Sequence, residues 1–162
     1  MFPDPLHPVV VHLPIALAVV VPLFAAGGLF AIRSGYLPAR AWLAAVVLQV
    51  LLAGSAWIAV DTGGDQYDRV KKVVAEEQIG EHAEAGEWFA YAATAAALIF
   101  AAGLAGDRIA RPARVAAALA SLFVLATAVR TGYLGGELVY KHGAARAYTE
   151  SESSAPPAQP TP

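Results

Sequence analysis

Four stretches of the chain are almost continuously apolar, and polar residues gather in the segments between them. The stretches cover about 8–32, 41–60, 88–104 and 113–134, each close to the roughly 20 residues with which an α-helix crosses about 30 Å of hydrocarbon. The pattern predicts an all-α protein, an integral membrane four-helix up-and-down bundle, in a single domain over residues 1–147. Pro14 and Pro22 fall inside the first stretch and predict a kinked helix whose freed carbonyls are satisfied by neighbouring helices. The segment from about Tyr67 to Phe89 has no proline and reads as helical, so the third crossing is expected to begin as a helix standing above the membrane. The last residues, 148–162, are polar and proline-rich and are expected to be a disordered tail.

Composition strengthens this reading. Of 162 residues, 57% are hydrophobic and 15% charged, more apolar than a soluble core can account for. The net charge of -2 leaves no basic footprint for nucleic acid. Absence of cysteine removes disulfides, thiolate metal sites, covalently attached c-type haem and cysteine nucleophiles together. The N-terminal MFPDPLHPVV carries neither a basic segment nor a small-residue cleavage site, so no cleaved signal peptide is expected.

Charge position then sets an orientation. The two short links carry Arg33 and Arg40, and Asp107, Arg108, Arg111 and Arg114, whereas the connection from Asp61 to Glu87 holds eight acidic residues against Arg69, Lys71 and Lys72. Basic short loops stay in the cytoplasm, so both termini and the acidic connection are expected on the outer side. A faint repeat accompanies this topology. The second stretch ends in Gly63-Gly64-Asp65 and the fourth in Gly135-Gly136-Glu137, and each two-helix hairpin opens with histidine. Two parallel hairpins would be related by an axis along the membrane normal; chance Gly-Gly pairs in a glycine-rich chain are the alternative.

All four histidines, His7, His12, His82 and His142, fall at this outer edge. His12 lies about one turn inside the first stretch, where an ionisable residue is costly unless it faces the bundle. It is expected to pair with His82, because the first and third helices of such a bundle are diagonal and facing helices build cofactor sites. Two neutral imidazoles from two helices are how haem iron is held in membrane bundles. His7 and His12 are about 140° apart around a helix and cannot both point at one atom, so His7 is expected to cap the helix. His142 lies beyond the hydrocarbon, for a second centre or a partner. Arg130, inside the fourth stretch, is expected either to snorkel to the interface or to pair with an anion: Asp61, Glu137 or a haem propionate. A hydrolytic zinc site around His82 with Glu81, Glu84 and Glu87 is the competing metal chemistry, but no compact ligand pair such as His-Glu-x-x-His is present. No phosphate loop, nucleophile elbow or Ser/His/Asp arrangement occurs either.

These residues resemble a bacterial family of small four-helix membrane proteins catalogued as domain of unknown function 2231. The resemblance lies in His7-Pro8-Val9-Val10-Val11-His12-Leu13-Pro14-Ile15, with Leu13 where the family usually has Phe, in His82 before the third crossing, and in Gly135 to Gly143. It covers residues 5 to 147. It implies that all four histidines belong to the family's motifs, and, through the family's proximity to Rieske and c-type cytochrome modules, it implies redox work in a bacterial inner membrane. The expectation is therefore a b-type cytochrome-like electron carrier. Its cofactor-binding residues would be His12, His82, His7, His142 and Arg130, working between quinone and an outer-side redox protein. A non-haem transition-metal binding or transport module and a structural subunit of a redox complex, homo-oligomeric or otherwise, are the alternatives.

Overall fold

The computed structural model describes residues 5–153, with side chains up to Thr149. It is helical throughout, and no strand occurs among the described residues. A short helix α1 (His7–Val10) leads into α2 (His12–Arg33); a 3-10 turn (Ala39–Trp42) leads into α3 (Leu43–Gly64); α4 (Tyr67–Val70) precedes α5 (Glu76–Ala102); α6 (Asp107–Tyr140) and α7 (Arg146–Ser153) follow. Four helical segments, His7–Arg33, Ala39–Gly64, Glu76–Ala102 and Asp107–Tyr140, are long and apolar enough to cross a membrane. Each of α2 and α5 packs on both α3 and α6, which makes α2 and α5 one diagonal of a four-helix bundle and α3 and α6 the other.

Proline shapes the entry differently from the expected kink. The helix runs through Pro22 and breaks at Val11 instead. Pro14 has no N–H for the carbonyl four residues earlier, so the bond that would join α1 smoothly to α2 is missing there. The acidic connection also departs from the expected single helix. Lys71 to Val73 form turns, Val74 a bend, and Ala75 is extended, with Val74 packed into a small second core with Ile79, Leu138 and Ala144. The expected tail begins as helix: α7 occupies 146–153, with the Tyr148 hydroxyl donating to Gln66 Oε1 at 2.9 Å and its ring lying under the Arg69 guanidinium. The remainder of that tail, 154–162, lies outside the described residues.

The buried positions disclose the repeat. Along α1–α2 and α5 they match at constant offset: His7 with His82, Pro14 with Phe89, Ala18 with Ala93, Val21 with Ala96 and Ala25 with Phe100. All of these but the two half-buried histidines are fully buried. Along α3 and α6 the matches are Ala45 with Ala117, Gln49 with Ser121, Leu52 with Val124 and Ala56 with Ala128. Two hairpins thus turn the same faces inward about the bundle axis. Small side chains bring the helices close, as membrane helices require.

At the end of the bundle formed by the two short links, Trp42 fills the axis. Its indole lies against Gly28 of the first hairpin and Gly103 of the second, stacks on Phe100 with ring centroids 5.5 Å apart, and donates to the Phe100 carbonyl at 2.9 Å. Arg114, counted with the basic residues of the second short link, is buried in α6. Its Nε donates to the Gly103 carbonyl at 2.8 Å and its guanidinium lies 5.9 Å from the Trp42 ring centre.

Candidate functional site

At the opposite end of the bundle, the first turn of α1 and the second turn of α5 lean inward and bring His7 and His82 together. Their ring centroids are 6.3 Å apart and the rings stand nearly perpendicular, at 77°. Each imidazole lies on a glycine of the other diagonal. A Cβ at Gly63 would stand 3.1 Å from His7 Cε1, and one at Gly135 would stand 3.0 Å from His82 Cε1. The first glycines of the two Gly-Gly pairs therefore give backbone surface to the two rings. The second glycines, Gly64 and Gly136, face open space. Gly86, one turn beyond His82, fits α5 between Val60 and Thr131.

Hydrogen bonding orients the His7 ring. His7 Nδ1–H donates to the Ala59 carbonyl at 2.9 Å, with the Thr62 hydroxyl 3.4 Å from the same nitrogen. This bond uses Nδ1 as the donor and leaves Nε2 with a free lone pair. The Thr131 carbonyl, which occupies Ala59's place in the second hairpin, approaches the His82 ring. His82 Nδ1 is nevertheless buried without a hydrogen bond. The Thr131 hydroxyl instead ties α6 to α5 through the Ala85 carbonyl at 2.9 Å.

The expected partnership of His12 with His82 is corrected by this geometry. His12 is exposed on the flank of α2, its Nδ1 donating to the Val9 carbonyl at 3.2 Å within its own turn. The break at Val11 and the burial of Pro14 fix that face outward. His7, expected to cap the helix, makes no capping bond to it; the cap position is Leu6 and the ring points inward. His142 sits in the turn after α6, its backbone N–H on the Glu137 carbonyl at 3.0 Å. It does not join the pair: no three His, Asp or Glu side chains converge among the described residues. Glu81, Glu84 and Glu87 are exposed around the outside of α5 while His82 points the other way, so the zinc arrangement does not assemble. Arg130 is exposed and forms no ion pair among the described residues. Its expected partner Glu137 instead takes Lys141 at 3.2 Å and the Tyr133 hydroxyl at 3.2 Å.

Two features were missed in the sequence: the contact of each histidine with a glycine, and the pairing of His7 with His82. The repeat carried both, because Gly63 and Gly135 are equivalent positions, and His7 and His82 precede the buried Pro14 and Phe89 by the same interval.

Neither the curated proteins nor the solved structures hold a match to this chain. A family model described as "Predicted membrane protein (DUF2231)" matches residues 3–147, nearly the whole described bundle and all four histidines. The chain belongs to the DUF2231 family of predicted membrane proteins.

Proposed function

We propose that this protein is a membrane electron carrier of b-type cytochrome character, in which His7 and His82 would hold a haem near the outer face. The observation that carries the reading is the facing pair of imidazoles on diagonal helices, 6.3 Å between centroids. With metal–nitrogen bonds of about 2 Å and a further ~1 Å from each nitrogen to its ring centre, two imidazoles sharing one metal have centroids roughly 6 Å apart. The donor set supports haem in particular. Two neutral nitrogens are the complement that haem iron takes from protein, whereas a bare zinc or copper site generally draws three or four protein ligands. The Nδ1–H bond from His7 to the Ala59 carbonyl supports ligation as well, since ligating imidazoles characteristically donate their other N–H to a carbonyl or carboxylate.

Bound there, haem would supply one-electron chemistry. The protein's contribution is to hold both rings and to bury them partly at the end of the bundle. Electrons would enter from quinol in the lipid and leave to an outer-side redox protein, the end of the bundle away from Trp42 being the one with a site.

The test is the visible spectrum of chain purified from cells supplied with haem. The reading predicts about one haem per chain and a sharp α-band on reduction. Folded protein without haem would refute it, and stoichiometric copper or zinc that is lost on His7 or His82 substitution would support the non-haem alternative.

A further inference from the structure

The two ligands of that reading are held unequally. His7 is fixed by the Ala59 carbonyl at 2.9 Å, with the Thr62 hydroxyl beside it. Thr62 is itself anchored, donating to the Ile58 carbonyl at 2.9 Å. In the second hairpin the position equivalent to Thr62 is Leu134, which brings no hydroxyl, and His82 Nδ1 is buried with no hydrogen bond. A hydrogen bond at the second nitrogen fixes an imidazole's tautomer and orientation and raises its basicity as a ligand. His7 has that support as a formed hydrogen bond, whereas at His82 the Thr131 carbonyl lies near the ring without completing one.

We infer that, on the haem reading above, His7 is the anchoring ligand and His82 the exchangeable one. The site then takes a small iron ligand, such as carbon monoxide or free imidazole, on the His82 side. Thr62 is a positioning residue that acts through His7. The repeat makes the asymmetry specific. Backbone, glycine and histidine are matched in the two halves, and the difference lies in the hydroxyl and the bond that go with one ring.

The experiment uses the full chain in detergent, saturated with haem and reduced, and follows formation of the carbon monoxide complex, which requires one histidine to leave. In wild type this is expected to be limited by ligand departure. His82→Ala should keep haem in five-coordinate form and bind carbon monoxide without delay, while His7→Ala should bind haem at least tenfold more weakly than His82→Ala. Leu134→Thr, which leaves both ligands in place, should give His82 the missing partner and slow complex formation about tenfold. Equal losses of haem affinity in the two alanine variants, or an unchanged or faster rate in Leu134→Thr, would overturn the inference. Failure of folded wild type to take up haem would overturn the reading on which it rests, and that outcome is visible before any variant is compared.

Discussion

The imidazole of His82 rests on the backbone of Gly135, where any Cβ would come within 3.0 Å of its Cε1. The neighbouring Gly136 faces nothing within 4 Å, which provides an internal control. Gly135→Ala should displace the ring, lowering stability by about 1–3 kcal/mol through overpacking and weakening haem retention about tenfold. Gly136→Ala should leave retention unchanged and stabilise the helix by up to ~1 kcal/mol. Thermal unfolding in detergent, followed by circular dichroism, and haem-to-protein ratios check both.

The Trp42 plug makes a second, purely structural prediction. A Cβ at Gly103 would overlap the indole ring system, and the Phe100 carbonyl closes the other side. Gly103→Ala should therefore cost about 1–3 kcal/mol. Trp42→Ala should cost about 3–5 kcal/mol, and Trp42→Phe, which removes the bond to Phe100, about 1 kcal/mol of hydrogen bonding plus any loss of packing. Haem content should survive Trp42→Phe, since the plug and the histidine pair occupy opposite ends of the bundle.

Absence of native cysteine makes orientation directly measurable. Single cysteines at Tyr36 in the first link and at Asp65 after α3, both exposed, should label oppositely in intact cells. Asp65→Cys should react with an impermeant maleimide and Tyr36→Cys only after permeabilisation, as the basic short links require.

The Asp68–Lys71 pair on the connection, 2.5 Å apart, sets a pH expectation. The Lys71 ammonium holds the Asp68 carboxyl below its ordinary range, and Asp68 in turn holds Lys71 above its own. The depressed carboxylate stabilises the fold above its unfolded value and loses that effect as pH falls through its folded value. The raised ammonium stabilises below its unfolded value and loses that effect as pH rises through its folded value. Between those windows the contribution is constant. Because both groups are exposed at the surface, Asp68→Asn should leave the unfolding midpoint close to wild type across neutral pH.

The four crossings were legible because apolar run length alone separates a membrane helix from a surface one. The repeat was legible through Gly63-Gly64 and Gly135-Gly136, although their service as seats for imidazole was not, since contact across diagonals is a tertiary fact. The histidine pair was misread for a local reason. Depth in the apolar run favoured His12, but His7 and His12 lie on different faces, and what decides between them is the break at Val11 imposed by Pro14. The burial of Arg114 was not legible either: it counts toward the basic charge of the link, and only the packed structure brings it onto the Gly103 carbonyl and the Trp42 ring.

The most direct test of the central claim is the reduced low-spin haem spectrum of three variants, His7→Ala, His12→Ala and His82→Ala, compared with wild type at equal helical content. The account predicts that His12→Ala keeps the wild-type spectrum while His7→Ala and His82→Ala each lose the six-coordinate form. Loss of that form in His12→Ala with its retention in His7→Ala would contradict it.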